Sequence, residues 1–148
     1  MKIVVDTYAW IEMFIGSKKG EKAKEIVEKA DEAYTPDIVT AEIARKYLRE
    51  GISEQTILER LKTTEDITGI TPINKNTAIE SAKCYLELLE KAKTKRLKAP
   101  SLFDAVILAT ARTLNAKLIT GDEHLKDFNE TLWIGNPQRD NEGASNHA

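Results

Sequence analysis

The sequence predicts an α/β protein, a three-layer α/β/α sandwich around a central, mostly parallel, five-stranded sheet. Three observations carry that expectation. Short β-branched runs recur along the chain, and stretches of helical period separate them. The chain of 148 residues is 41% hydrophobic and 31% charged, enough for one buried core and too short for two. Strands that alternate with helices pair in parallel, because each helix is the crossover that returns the chain to the same end of the sheet.

Ile3-Val4-Val5 is a continuous apolar run that suits a strand covered on both faces, and it ends at Asp6. Asp6 is placed to cap a helix over Thr7–Phe14. Trp10, Met13 and Phe14 stand there at a spacing that suits a packed face better than a base-stacking surface. From Ser17 to Ala30 the chain is rich in Lys and Glu, with Ala23, Ile26, Val27 and Ala30 along one side of an amphipathic helix. Ala33-Tyr34-Thr35 is a second strand cut by Pro36. The helix that follows runs to about Glu50 and stops at Gly51. Ser53 opens another helix carrying Ile57, Leu58 and Leu61.

Ile70–Ile73 is a short third strand. A long helix follows, from about Asn76 into the early nineties, with Ala78, Ala82, Tyr85, Leu86 and Leu89 expected as its buried stripe and Cys84 beside them as an inert packing residue. Pro100-Ser101 starts a helix over Leu102–Leu114 that is apolar nearly all round and is therefore packed on several sides. Lys117–Thr120 is a fourth strand running into Gly121-Asp122, and Thr131–Ile134 is a fifth. The expected domain spans residues 1–134, and the polar residues 135–148 are expected to be a frayed tail.

Composition excludes several function classes. The 22 Lys+Arg against 24 Asp+Glu give a net charge of −2, which argues against a polybasic coat for DNA and leaves room for a local basic patch on RNA. The single cysteine, Cys84, removes disulfide frameworks and Cys-based zinc sites, and two histidines, His124 and His147, are too few for a His-rich centre. No apolar run reaches the length of a signal peptide or a membrane span, so the expectation is a reduced, cytoplasmic protein without membrane contact. No Gly-x-Gly-x-x-Gly or P-loop motif occurs.

Ligands of open α/β sheets bind at the carboxyl ends of the strands. Asp6 follows the first strand, Asp122 lies just past the fourth, Glu42 sits about a turn and a half into the helix after the second, and Asp104 heads the helix leading to the fourth. Each has an ordinary explanation. Asp6 caps a helix, Ser101-x-x-Asp104 has capping-box spacing, Glu42 and Lys46 stand as an i,i+4 pair, and Asp122 suits a turn or the cap of a segment over 123–128. Jointly the four are harder to dismiss. Like charges about 4 Å apart repel by roughly 4 kcal/mol per pair at an effective dielectric of 20. A divalent cation offsets that repulsion, and carboxylate oxygens are the ligands Mg²⁺ and Mn²⁺ prefer.

The segments MKIVVDTYAWIE, TAEI, SLFDAVILATA and LITGDEHL stand in the order and spacing of PIN-domain nucleases. From Lys2 to about Ile134 the chain resembles the small VapC-like toxins of prokaryotic toxin–antitoxin pairs, DAVILATA followed by TGD being the most specific part. The resemblance implies a Mg²⁺- or Mn²⁺-dependent endoribonuclease that leaves a 5′-phosphate and a 3′-hydroxyl. Its acidic positions fall on Asp6, Glu42, Asp104 and Asp122, with Thr7 and Thr120 as supporting hydroxyls and Asp127 as a further acid nearby. It also implies a homodimer and a small antitoxin partner. Lys91, Lys93, Lys95, Arg96 and Lys98 precede Asp104. They are read either as a solvated helix end or as a guide for the RNA backbone, for which Lys93, Lys95, Arg96 and Lys98 are the candidates.

The alternatives are a housekeeping RNA-processing nuclease of the same fold and a non-catalytic RNA- or protein-binding module. A receiver-type phosphoacceptor lacks its acid after the third strand, where Ile70–Ile73 stands, and a DxDxT phosphatase is disfavoured by Thr7-Tyr8 after Asp6.

Overall fold

The computed structural model describes residues 1–137, so that residues 138–148 of the expected tail, His147 among them, lie outside the described residues. The chain runs β1 (Lys2–Val5), α1 (Thr7–Ile15), α2 (Lys18–Lys29), β2 (Glu32–Pro36), α3 (Asp37–Arg49), α4 (Glu54–Ile67), β3 (Gly69–Thr71), α5 (Lys75–Lys95), α6 (Leu102–Thr113), β4 (Lys117–Thr120), a 3-10 turn at Glu123–Leu125, and β5 (Thr131–Trp133). The sheet is parallel throughout, in the order β3-β2-β1-β4-β5. Ile3, Val4 and Val5 of the central strand are fully buried, as a strand covered on both faces requires.

The caps follow the sequence signals. Asp6, Ser17, Ser53, Asn74 and Ser101 each accept a backbone N–H in the first turn of the following helix, and Gly16 and Gly51 end α1 and α3 with left-handed backbone. The turn from α1 into α2 is tight. A Cβ on Gly20 would stand 2.1 Å from the Glu12 carbonyl oxygen, so only glycine lets these helices meet.

Right-handed crossovers put α1–α4 on one face of the sheet and α5 and α6 on the other. Trp10 lies in the core, stacked on Phe14, with its Nε1–H donated to the Thr35 hydroxyl, so the packed-face reading of that stripe holds. The stripe expected on α5 does not hold. The buried seam is Thr77, Ser81, Cys84, Leu88 and Ala92, while Leu86 is 68% exposed and Ala78 and Ala82 face outward. The physical reason is closeness: α5 lies along α6, whose own surface is mostly small, and a seam of small side chains lets two helices approach further than large apolar ones would.

Parallel strands bring all their carboxyl ends to one rim. The chain leaves β1 for β2 on one side and reaches β4 on the other, so the crevice at the β1/β4 boundary is the switch point where ligands of such sheets bind. Residues 135–137 are tied to this rim: the Trp133 Nε1–H donates to the Asn136 carbonyl, and Lys19 donates to the Asn136 side chain.

Candidate active site

The four acids expected at the rim come from four elements. Asp6, 2% exposed, joins β1 to α1 and accepts the Ala9 N–H at 2.8 Å through Oδ1. Asp104, in the first turn of α6, completes a capping box, with Oδ2 accepting the Ser101 N–H at 3.0 Å. Asp122 heads the 3-10 turn, with Oδ1 accepting the His124 N–H at 2.8 Å. Among the described residues the capping bonds take Oδ2 of Asp104 and Oδ1 of Asp122, and the second oxygen of each takes part in no hydrogen bond. The ordinary capping role thus fixes each carboxylate by one oxygen while the other stays available.

Glu42 does not form the i,i+4 pair that was its ordinary explanation. Lys46 bonds Glu50 at 2.8 Å instead, and Glu42 accepts the Thr7 hydroxyl at 2.8 Å, half-buried against the start of α1. The reason is geometric: the carboxylate points across to α1, and the lysine one turn on finds the more exposed Glu50. Thr120, fully buried, accepts the Asp122 N–H at 3.0 Å and lowers the Asp6 carboxyl's proton affinity, so both hydroxyls stand at the rim beside the acids.

The electrostatics are those of unneutralised negative charge. Burial pushes the Asp6 carboxyl up to about 7, against the Thr120 and Ala9 hydrogen bonds, with Asp122 and Glu42 adding repulsion. Burial also raises Glu42 and Asp104. Asp104 and Asp122 add to the shift of Glu42, and Asp122 adds to that of Asp104. Among the described residues no Lys or Arg comes within ion-pair distance of these four acids, and the one basic partner is His124, 3.2 Å from Asp122.

Sequence reasoning passed over His124. Its Nδ1 faces Asp122 Oδ1 at 3.2 Å, and its Nε2 lies 2.8 Å from the Lys98 carbonyl. Burial works against a proton on this ring, but the Lys98 carbonyl and the Asp122 and Asp104 carboxylates outweigh it and hold the ring's proton affinity above the ordinary value. One ligand atom from each of Asp104, Asp122 and His124 fits within 4.8 Å of the others. The signal was the spacing Asp122-x-His124 just past a strand end, which puts both side chains on one tight turn.

A hard divalent cation fits this donor set. The oxygens are carboxylate, several are free of internal hydrogen bonds, and among the described residues no Lys or Arg is ion-paired with them, although Arg45 lowers the proton affinity of Glu42 and His124 that of Asp104. Asp104 and Asp122 stand in the tight group, while Asp6 and Glu42 flank it within electrostatic reach. Asp127 is exposed on the far side of the 3-10 turn, in left-handed backbone, and takes no part in the group.

The basic run divides. Lys91 is half-buried over the Phe128 ring and donates to the carbonyls of Glu123, His124 and Lys126, so it holds the turn that carries Asp122 and His124. Lys93, Lys95, Arg96 and Lys98 are exposed, with Arg96 closing α5 in left-handed backbone.

The chain matches the family model of the PIN domain over residues 3–130. It is 28% identical over 131 residues to ribonuclease VapC3 of Pyrobaculum aerophilum, an alignment covering 86% of this chain and 94% of that protein. Its fold matches a toxin–antitoxin complex from Klebsiella pneumoniae with a TM-score of 0.65 at 20% identity, covering 91% of this chain and 99% of that one. It also matches VapC20 of Mycobacterium tuberculosis, described as a sarcin–ricin loop cleaving toxin, with a TM-score of 0.62 at 16% identity over 86% and 97% of the two chains.

Proposed function

Because the chain belongs to the PIN-domain family, we propose that it is a Mg²⁺- or Mn²⁺-dependent endoribonuclease, the VapC-like toxin of a toxin–antitoxin pair acting in the cytoplasm. The observation that carries this reading is the convergence of Asp6, Glu42, Asp104 and Asp122 at the β1/β4 switch point with no Lys or Arg paired to them among the described residues. A protein without use for that charge would disperse or neutralise it.

In this reading Asp6 and Asp104 hold the ion, Glu42 and Asp122 complete its surroundings or hold its waters, and residues 1–134 form the catalytic domain with 135–148 appended. A bound divalent ion supplies charge neutralisation at the scissile phosphate and acidifies a water for in-line attack. The protein's own contribution is to hold the acids still. Thr7 fixes Glu42, Thr120 fixes the backbone of Asp122, and the caps at Ala9, Ser101 and His124 prevent the carboxylates from turning away. Glu42, held by the Thr7 hydroxyl, is placed to steer that water.

Lys93, Lys95, Arg96 and Lys98 meet the RNA backbone on the approach to Asp104. A homodimer covers the outward apolar residues of α5, among them Ile79 and Leu86, which are 60% and 68% exposed. The antitoxin closes the acidic rim. No helix among the described residues is long and apolar enough to cross a membrane.

The test is incubation with a mixed RNA pool, with Mn²⁺ and with EDTA, comparing the wild type with Asp104→Asn. Cleavage that needs Mn²⁺ and disappears in the variant supports the reading. Equal cleavage by both proteins, or none by either at any metal concentration, overturns it.

A further inference from the structure

Two cations stand one helical turn beyond Glu42, Arg45 at i+3 and Lys46 at i+4, and either has the spacing to neutralise it. Neither does. Lys46 pairs with Glu50, and the Thr7 hydroxyl bonds the Glu42 carboxylate from the start of α1. Arg45 is left without a carboxylate: among the described residues its guanidinium enters no ion pair and donates no hydrogen bond.

An aromatic ring takes the place of the missing acid. The Arg45 guanidinium carbon stands 5.9 Å from the centroid of the Phe103 ring, where α3 meets α6, and Phe103 is the residue before Asp104. Its charge also reaches Glu42, whose proton affinity it lowers. Arg45 is therefore an exposed cation between the two helices that carry Glu42 and Asp104. A guanidinium held by a ring keeps its charge, and its N–H donors remain available to an acceptor from outside. The charge is permanent, and the planar fork of donors matches a carboxylate or a phosphate. On the other side of Asp104, Lys95, Arg96 and Lys98 are exposed in the segment that leads into α6. The acids are thus flanked by cations from two separate stretches of the chain.

We infer that Arg45 is the clamp for one phosphate of the RNA beside the bond that is cut, its N–H fork meeting the nonbridging oxygens while Phe103 positions it. The inference rests on the nuclease reading above and adds a substrate-holding residue to it. In that reading the phosphate being cut lies with Asp6 and Asp104, and Arg45, beside Glu42, meets the next one along the strand. An arginine suits this place better than a lysine, because it takes two oxygens at once.

The test uses an RNA dodecamer that the wild type cuts, taken from the mixed pool and labelled with fluorescein. Steady-state kinetics separate kcat from KM, and anisotropy on the Asp104→Asn background reads affinity. Arg45→Met is expected to raise KM and weaken binding about tenfold while kcat stays within about threefold. It is also expected to lower the salt slope by about 0.7, whereas Arg45→Lys keeps the slope and recovers part of the affinity. Phe103→Leu, which removes the ring and leaves the charge, is expected to weaken binding about threefold. A neutral methylphosphonate placed at one linkage at a time identifies the partner: beside the cut, one position is expected to raise KM for the wild type about tenfold and to leave Arg45→Met unchanged. Unchanged KM and affinity in Arg45→Met, or a scan in which every linkage affects both proteins equally, overturns the assignment. So does a fall in kcat with a shifted pH profile and unchanged KM, which would place the action of Arg45 on Glu42. In each of those outcomes metal-dependent cleavage by the wild type stands. A wild type that cuts no RNA in the pool overturns the nuclease reading itself, and this inference with it.

Discussion

Among the described residues two places gather carboxylates, and only one of them pairs its acids with an arginine. Arg112 of α6 donates two hydrogen bonds to Glu87 of α5, at 2.7 and 3.2 Å, and a third to Glu130 at 3.0 Å. The guanidinium holds Glu87 below the ordinary carboxylate range. At the carboxyl rim of the sheet, Asp6, Glu42 and Asp104 are all raised instead, chiefly by burial and then by one another. The same side-chain chemistry is satisfied in one region and left wanting in the other. The contrast is the one expected of a rim that gives up stability for the proposed task, because an arginine was an available remedy and was used elsewhere.

The contrast can be broken by changing either region. The largest effect is expected at Asp6. Between about pH 4 and pH 7 the folded chain keeps a proton on Asp6 that the unfolded chain has lost, so stability falls as pH rises through that window and levels off above it. The difference between 3.8 and about 7 corresponds to about 4 kcal/mol. Asp6→Asn, which keeps the acceptor for Ala9, is therefore expected to raise the melting temperature at pH 8 by several degrees and to flatten the pH profile, both readable by calorimetry. A variant less stable than the wild type at pH 8 would count against burial as the cause.

Supplying the missing cation is the next largest change. Mn²⁺ at a hundred times its dissociation constant is expected to stabilise the wild type by about 2.7 kcal/mol, with little effect on Asp104→Asn. An equal thermal shift in both proteins would place the ion elsewhere. Removing the cation from the satisfied region has the opposite sign: Arg112→Met is expected to cost about 2 kcal/mol in urea unfolding, because Glu87 and Glu130 lose charged hydrogen bonds while the region stays partly solvated. The smallest effect is expected for Lys46→Gln. The Lys46–Glu50 pair is exposed, and its loss should shift stability by less than about 0.5 kcal/mol.

The sequence made the architecture readable because its signals are local. β-Branched runs, caps and glycine stops act over a few residues, and the strand ends then follow from parallel topology. The placing of the four acids at the rim was readable for the same reason, each lying at a fixed distance from a strand end or a helix start. What escaped were choices made between elements. The stripe of α5 was misread because hydrophobicity favours Leu86 and Leu89, whereas the contact with α6 selects Thr77, Ser81 and Cys84 for their size. Helical spacing offers Lys46 as the ordinary partner of Glu42, and only the position of Thr7 across the rim decides otherwise. Lys91 reads as one cation in a run, and its bonds to three carbonyls of a turn more than thirty residues away have no local signature.

The order of the strands has a consequence for synthesis. β1 is made first and lies in the middle, yet its neighbour β4 begins at Lys117, and two of the four acids, Asp104 and Asp122, belong to the last third of the 148 residues. A growing chain on the ribosome can dock β2 and β3 early, but half of the pocket is still unmade at that stage. If the completed rim cuts RNA as proposed, an unfinished copy cannot cut the message from which it is being read.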